Sequence, residues 1–253
     1  MNGSKSAAWA DWTERTLWHE RLIFQSEPAL EKHVLMLDPA HRTARDFILA
    51  NTSLQPPPHV PEIRLHLADE AHDLWHKTEE ELATIGLPPP FWAFAWAGGQ
   101  GVARYILDHP ETVKGKTVLD FASGSGLVAI AAMQADAASV LASDIDPFAL
   151  PAIEINASAN GVTVSPTLDD LIGQDGGWDV VLAGDVFYEK PLAERLIPWF
   201  SKLSQRGTRI IVGDPGRAYL AKEKLQQLAV YTVPVTRALE DAEVKRTTVW
   251  SFS

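Results

Sequence analysis

The sequence predicts an α/β fold, a doubly wound sheet of seven strands whose last strand is antiparallel, preceded by a mainly helical extension. From Trp92 onward, short apolar runs typical of buried strands alternate with helical patterns. Repeated βα units of this kind imply a mostly parallel sheet with helices on both faces, the Rossmann-like arrangement. The chain ends in two predicted strands with no helix between them, which indicates an antiparallel partner at the sheet edge.

The predicted extension covers residues 1–85, and the sheet domain covers residues 86–253. Met36 is a second candidate start, which would make residues 1–35 a disordered or misassigned addition. Helical patterns and one period-two alternation identify the elements of the extension. The predicted helices lie at 9–37, 44–54 and 71–85, and the predicted strand lies at 63–67.

Seven strands and five helices fill the rest of the chain, and most of the connections between them are short. The predicted strands lie at 116–121, 139–143, 162–165, 180–183, 209–212, 230–235 and 247–252. The predicted helices lie at 98–107, 126–135, 147–160, 192–203 and 218–228.

The bulk composition limits the chemistry that the chain can perform. Its 253 residues, 46% of them hydrophobic, support one sizeable domain with a small appendage. The absence of cysteine excludes disulfides, thiolate metal sites and cysteine nucleophiles. The first twenty residues are partly acidic and lack a long apolar core, so neither a secretory signal nor a transit peptide fits. No stretch approaches the ~20 apolar residues of a membrane span. We therefore expect a cytoplasmic protein.

The net charge of −11 bears on the choice of partner. Proteins that bind DNA or RNA normally present a basic surface to the phosphates, so the charge disfavours nucleic acid. An acidic protein attracts basic partners, including lysine-rich protein surfaces.

A glycine loop follows the first strand of the sheet domain, within Val118–Ala132. Free N–H groups at the start of the next helix favour an anionic group such as a phosphate or a carboxylate. Gly124 and Gly126 let the backbone approach a ligand closely. A ligand-binding loop is therefore predicted, with a loop that binds nothing as the alternative.

Two cofactors fit this loop. The spacing of Gly124, Gly126 and Ala129, with Asp144 about 20 residues further on, matches a dinucleotide fingerprint and would indicate NAD. Asp120, however, closes the strand before the loop, where a carboxylate would repel a pyrophosphate. The same carboxylate suits the amino and sulfonium cations of S-adenosylmethionine, which we therefore favour.

Acids also follow the next two strands. Asp144 is placed to accept hydrogen bonds from both ribose hydroxyls. Asp146 can have a structural role rather than a ligand-binding one, because its side chain can cap the helix that begins near Pro147. Asp169 could accept a hydrogen bond from the adenine amino group, and a solvated turn is the alternative.

An acid and an aromatic residue, Asp185 and Tyr188, stand three apart where the buried strand at 180–183 stops. Strand ends of open α/β sheets are where ligands bind, so both are candidate catalytic residues. The alternatives are helix capping for Asp185 and ordinary packing for Tyr188.

Five segments resemble the class I methyltransferases and, within them, the electron-transfer-flavoprotein β-subunit lysine methyltransferases. The resemblance covers roughly residues 92–252, and Ala122 stands where that family usually has its first glycine. The matching segments are Pro90–Gln100, Asp120–Gly126, Asp144–Pro147, Gly213–Arg217 and Thr248–Trp250.

The resemblance implies methyl transfer from S-adenosylmethionine, with S-adenosylhomocysteine as product, to lysine of the electron-transfer flavoprotein β-subunit. It places Asp185 and Tyr188 in an acid-x-x-aromatic motif. Asp185 would hold the lysine ammonium by a charge-assisted hydrogen bond, and Tyr188 would offer its ring or hydroxyl. The implied cofactor residues are Trp96, Gly98, Asp120, Ala122, Gly124, Gly126, Asp144, Ile145 and Asp169.

Four alternatives to this function stay open. Adenine and glutamine methyltransferases share the Asp185–Tyr188 spacing but have two prolines where this chain has Val186 and Phe187. Ribosomal-protein methyltransferases share the glycine loop and are a serious alternative for the substrate. An NAD-dependent oxidoreductase and a methyltransferase-like binding module without catalysis are the others. His72 and His76 could share a metal, but no third ligand is evident, so we expect no metal site.

Overall fold

The structure, a computed structural model, describes the chain in three ranges, residues 43–68, 89–235 and 243–253. The helices predicted at 9–37 and 71–85 lie outside the described residues, as do Met36, His72 and His76. Within the described ranges, no helix is long and apolar enough to cross a membrane.

The first described elements form a small unit of one helix and two paired strands. Helix α1 (Ala44–Asn51) begins at Thr43, whose side chain accepts a hydrogen bond from the Asp46 backbone nitrogen. Strands β1 (Ser53–Gln55) and β2 (Leu65–Leu67) pair antiparallel. The helix predicted at 44–54 is therefore too long, because its last residues pair as a strand with β2.

This unit shares its core with the rest of the chain. Ile48, Ile63 and Leu65 are fully buried in the same apolar cluster as the sheet and its helices. The Asn156 amide lies between the two parts: its Oδ1 accepts from the His66 backbone nitrogen at 2.7 Å, and its Nδ2 donates to the Ser125 carbonyl at 2.8 Å. The unit is thereby joined to the glycine loop.

The central sheet has seven strands, as predicted. They are β3 (Thr117–Phe121), β4 (Ser139–Ser143), β5 (Ser165–Thr167), β6 (Val180–Gly184), β7 (Arg209–Asp214), β8 (Leu225–Pro234) and β9 (Val244–Phe252). Their order across the sheet is β5-β4-β3-β6-β7-β9-β8. The first five strands are parallel, and β9 is antiparallel to both of its neighbours, which confirms the antiparallel last strand.

The predicted antiparallel partner at the sheet edge is β8, and β9 itself lies between β7 and β8. Strand β9 buries Thr247, Thr248 and Val249 in succession, as an inner strand does. Most residues of β8 are at least partly exposed, which suits an edge strand.

Among the described residues, four helices cover the two faces of the sheet. Helix α5 packs on one face through Leu196, Trp199 and Phe200, in a second apolar cluster, and the other three pack on the opposite face. The doubly wound arrangement is therefore confirmed. The four helices are α2 (Ala97–Asp108), α3 (Leu127–Gln134), α4 (Ala149–Ala159) and α5 (Lys190–Arg206).

The helix predicted at 218–228 is absent. A short 3-10 turn, Lys222–Lys224, leads directly into β8, and Leu225 pairs with Phe252 of β9. Helix propensity is a weak preference, and pairing with a distant strand overrides it here. Strand β5 begins later than the strand predicted at 162–165. Pairing again decides its position, because residues 165–167 are the ones that pair with β4.

Candidate active site

The carboxyl ends of four strands meet at one edge of the sheet. Phe121 of β3 pairs with Ser143 of β4 and with Ala183 of β6, and Gly184 pairs with Gly213 of β7. Ligands of open α/β sheets bind outside these ends. Four aspartates end or directly follow these strands: Asp120, Asp144, Asp185 and Asp214.

The loop between β3 and α3 turns through three left-handed residues. The φ angles are 54° at Ala122, 54° at Gly124 and 83° at Gly126. Glycine adopts this conformation freely, whereas a residue with a Cβ does so at a cost of roughly 1–2 kcal/mol. The loop geometry thus accounts for both glycines and identifies Ala122 as a strained position.

Asp120 lies beneath this loop. Its Oδ2 accepts hydrogen bonds from Ser123 Oγ at 2.5 Å and from the Ala129 backbone nitrogen at 3.0 Å. Burial raises the pKa of the Asp120 carboxyl to about 7, the two hydrogen bonds oppose that rise, and the charge of Asp144 adds to it. The side chain supports the loop, and a cation bound beside it would favour its ionised form.

Asp144 joins the loop after β3 to the loop after β4. Its Oδ2 accepts from the Gly124 backbone nitrogen at 2.8 Å and its Oδ1 from the Asp146 nitrogen at 2.9 Å. Burial raises the pKa of Asp144 above its ordinary value. Each carboxylate oxygen can accept a second hydrogen bond, so donors such as ribose hydroxyls suit this side chain. Asp146 accepts from the Phe148 nitrogen at 2.8 Å, in agreement with the capping alternative.

Ile145 and Asp169 lie on the outer side of this edge, and both side chains are exposed. The Asp169 carboxylate accepts from Thr167 Oγ1 at 2.9 Å, which is a local turn contact. Its backbone carbonyl accepts from Ser143 Oγ at 3.2 Å, and this bond holds Asp169 beside the end of β4. The structure therefore places Asp169 at the border of the site, where its carboxylate contacts only its own turn.

Asp185 follows β6 with four donors on its carboxylate. Oδ2 accepts from the backbone nitrogens of Gly98 at 2.5 Å and Gly99 at 3.2 Å, at the start of α2. Oδ1 accepts from Arg217 Nε at 3.0 Å and Nη2 at 2.6 Å. The backbone of Asp185 is left-handed, with φ at 58°, and its nitrogen donates to the Gly213 carbonyl at 2.9 Å. Helix α5 begins later, at Lys190, so Asp185 caps α2 rather than the helix that follows it.

The first turn of α2 lies directly on the ends of β6 and β7. A Cβ added at Gly98 would collide with the Gly213 carbonyl oxygen, and one added at Gly184 would lie 2.6 Å from Gly99 Cα. Glycine at these positions permits the close approach. Gly98 therefore has a packing role that its prediction as a cofactor residue did not include.

An aromatic wall borders the site, formed by Phe91, Trp96 and Tyr188. Phe91 makes edge-to-face contacts with both other rings, at centroid distances of 5.5 Å to Trp96 and 5.9 Å to Tyr188. Trp96 Nε1 donates to the Phe91 carbonyl at 3.0 Å, which fixes the indole. Desolvation by the surrounding protein and the charges of Glu189 and Asp144 raise the pKa of Tyr188, although 37% of the residue is exposed, so its hydroxyl stays protonated at neutral pH.

Two residues of the site, Asp214 and Arg217, were assigned no role from the sequence. Asp214 Oδ1 accepts from the backbone nitrogens of Gly216 at 2.6 Å and Arg217 at 2.7 Å, which forms the turn after β7. Its Oδ2 is buried and has no hydrogen-bond partner among the described residues. Burial raises the pKa of Asp214 to about 6. An acid at a strand end, as with Asp120 and Asp144, is the signal that could have identified it.

The residues at this edge suit a cationic nucleoside cofactor. The two left-handed glycines leave the backbone of the loop open to a ligand, and the carboxyls of Asp120 and Asp144 both accept hydrogen bonds from its backbone or from the start of α3. Among the described residues, no group of three His, Asp or Glu side chains could hold a metal ion. A seven-strand sheet with an inserted antiparallel last strand, a glycine loop after β3 and acids at the strand ends together define a class I, S-adenosylmethionine-dependent methyltransferase.

Comparison with known proteins defines the family. The chain is 36% identical over 242 residues to the electron transfer flavoprotein beta subunit lysine methyltransferase of Xenopus laevis, covering 92% of this chain and 97% of the relative. It is 38% identical over 207 residues to the protein of the same name from Mus musculus, covering 76% and 77%. The chain belongs to the electron transfer flavoprotein beta subunit lysine methyltransferase family.

More distant similarity extends to ribosomal-protein methyltransferases. The family model described as ribosomal protein L11 methyltransferase (PrmA) matches residues 105–213. The ribosomal protein L11 methyltransferase of Photobacterium profundum is 36% identical over 159 residues, covering 59% of this chain and 53% of the relative. Family membership confirms the predicted enzyme class and its methyl donor, S-adenosylmethionine, over the NAD and non-catalytic alternatives.

Proposed function

We propose that this enzyme methylates lysine side chains of the electron transfer flavoprotein beta subunit. The observation that carries the proposal is similarity over almost the whole chain, 92% of it, to a relative whose name states that activity. A carboxylate and an aromatic wall at the carboxyl edge of the sheet supply groups that suit a lysine ammonium.

Asp185 and Tyr188 are the proposed lysine-binding residues. A free lysine has a pKa of ~10.4, so the site has to accept an ammonium and let one proton leave before reaction. The Asp185 carboxylate would hold the ammonium by a charge-assisted hydrogen bond. The protonated Tyr188 hydroxyl can orient the neutral amine as donor or acceptor, and its ring presents a face to the cation.

The cofactor supplies an electrophilic methyl group on a positively charged sulfur, so the protein contributes position and desolvation rather than activation. We propose that Asp120 lies on the cationic side of the bound donor, Asp144 binds the ribose and Asp169 the adenine. The backbone of the glycine loop would line the remaining surface. The proposed contacts are Trp96, Gly98, Asp120, Ala122, Gly124, Gly126, Asp144, Ile145 and Asp169.

Purified enzyme, labelled S-adenosylmethionine and purified candidate substrates test the proposal. We expect label on the flavoprotein beta subunit, and mass spectrometry of its peptides should assign the methyl groups to lysine. Ribosomal protein L11 belongs in the same assay, because the partial match over residues 105–213 favours it as a second candidate. Label on nucleic acid or small molecules, with none on protein, would overturn the proposal.

Two further predictions accompany this function. The cytoplasmic location is a prediction from the sequence, and fractionation of the native host tests it.

The division into an extension at 1–85 and a methyltransferase domain at 86–253 is also a proposal. Residues 43–68 pack into the domain core, so we expect a truncation that removes them to destabilise the enzyme.

A further inference from the structure

A cationic side chain already pairs with the Asp185 carboxylate of the site. Arg217 donates two hydrogen bonds to Asp185 Oδ1, and its guanidinium carbon lies 5.9 Å from the centroid of the Trp96 ring. A carboxylate next to an aromatic face is also a favourable environment for an alkyl ammonium. The guanidinium therefore occupies a position whose chemistry also suits a lysine ammonium.

The other acceptor positions of Asp185 are held by backbone groups. Oδ2 accepts from Gly98 and Gly99, in the first turn of a helix that is closely packed on the sheet. The Asp185 nitrogen is itself bonded to the Gly213 carbonyl. Because these donors cannot move without disrupting the start of α2, an incoming ammonium can bind Asp185 only where Arg217 now donates.

Arg217 can yield that position by movement of its side chain alone. Its backbone nitrogen and that of Gly216 donate to Asp214 Oδ1, which anchors the turn. The Arg217 side chain is 22% exposed, twice the 11% of the Asp185 side chain, so it borders solvent. Rotation of the guanidinium into water would free Asp185 Oδ1 and leave the turn intact.

We propose that Arg217 is an internal competitor for the substrate lysine, and that lysine binding exchanges one cation for the other on Asp185. The inference rests on the proposed role of Asp185 in lysine recognition. Exchange keeps this largely buried carboxylate paired in both states, which avoids the cost of an uncompensated charge. It also selects for protein substrates, because a docked protein surface contributes binding energy for displacing Arg217 that a free amine lacks.

Substitution of Arg217 separates competition from structural support. We expect Arg217→Ala and Arg217→Gln to lower KM for the flavoprotein beta subunit roughly tenfold, since the competing charged hydrogen bonds are lost. Arg217→Lys retains a competing cation and should keep KM near the wild-type value. Millimolar guanidinium chloride should inhibit Arg217→Ala competitively against the protein substrate. The two neutral variants should also methylate short lysine peptides faster than the wild type does.

The opposite results would overturn the inference. If Arg217 only supports the site, its neutral variants will show a higher KM, and guanidinium will restore activity rather than inhibit. Loss of S-adenosylmethionine affinity in Arg217→Gln would likewise show that the arginine serves the cofactor. Should Arg217→Ala fail to fold, Arg217→Gln, which keeps an N–H donor, gives the same comparison.

A matched control is Arg206→Ala. Arg206 is paired with Asp175 at 2.9 Å, and it precedes β7, at the sheet edge opposite the site. Its loss should leave KM unchanged.

Failure of the wild-type enzyme to methylate the beta subunit would refute the proposed function. Methylation by the wild type with impaired Arg217 variants would refute the exchange alone.

Discussion

Asp185 Oδ2 lies 2.5 Å from the backbone nitrogen of Gly98, which is 87 positions earlier in the chain. The contact joins the end of β6 to the first turn of α2, where backbone N–H groups lack partners within the helix. A carboxylate at a helix N-terminus is also favoured by the helix dipole. The acid that the sequence indicates as lysine-binding therefore also positions a helix, and its substitution has two consequences.

Asp185→Ala should abolish methyl transfer and also lower the free energy of unfolding. Removing one partner of this partly buried ion pair, together with the acceptor for two backbone donors, should cost on the order of 3 kcal/mol. Urea denaturation measures the loss, and titration calorimetry should show S-adenosylmethionine still binding. Asp175→Ala is the control, because its partly exposed pair with Arg206 should contribute less than about 1 kcal/mol. Full activity in Asp185→Ala would contradict the assigned role.

Gly98→Ala and Gly99→Ala should differ sharply although the residues are neighbours in α2. A Cβ at Gly98 would collide with the Gly213 carbonyl oxygen, whereas nothing lies within 4 Å of a Cβ at Gly99. We expect Gly98→Ala to destabilise by about 1–3 kcal/mol through overpacking. Gly99→Ala should be neutral or stabilising by up to about 1 kcal/mol, since alanine favours helix. Equal melting temperatures for the two variants would show that α2 is not packed this closely.

Ala122→Gly should stabilise the protein. The left-handed φ of 54° at Ala122 costs roughly 1–2 kcal/mol with a Cβ present, and glycine removes this cost. Glycine also gives the unfolded chain more entropy, which offsets about 0.4–1 kcal/mol of the gain. A net gain near 0.5–1 kcal/mol in urea denaturation is expected. Ala159→Gly, at the exposed last position of α4 where φ is not left-handed, is the control and should give no gain, because glycine there only adds entropy to the unfolded chain. A loss of stability in Ala122→Gly would mean that the alanine methyl makes a contact the loop needs.

The stability of the enzyme should depend on pH through Asp120. Its pKa is raised from 3.8 to about 7 on folding, so between these values the folded protein holds a proton that the unfolded chain has lost. Stability therefore falls as the pH rises through that window. The unfolding free energy of the wild type should decrease relative to Asp120→Asn between about pH 4 and about pH 7. A difference that stays constant over this range would contradict the raised pKa.

Much of this architecture could be predicted from local pattern, because strand ends, glycine loops and acids are signals carried by neighbouring residues. The seven strands and the antiparallel last strand follow from such signals. The position of β9 and the absence of a helix at 218–228 depend on pairing between Leu225 and Phe252, which local pattern does not encode. The same limit applies to Arg217, whose bond to Asp185 joins two strand-end loops and has no signature in either loop alone.

The most direct test of lysine methylation by this enzyme is the intact mass of purified electron transfer flavoprotein beta subunit after incubation with the enzyme and S-adenosylmethionine. We predict mass increments of whole methyl groups, located on lysine by peptide sequencing and absent when Asp185→Ala replaces the wild type. An unmodified beta subunit, under conditions in which the enzyme binds S-adenosylmethionine and methylates ribosomal protein L11, would show that the beta subunit is not its substrate.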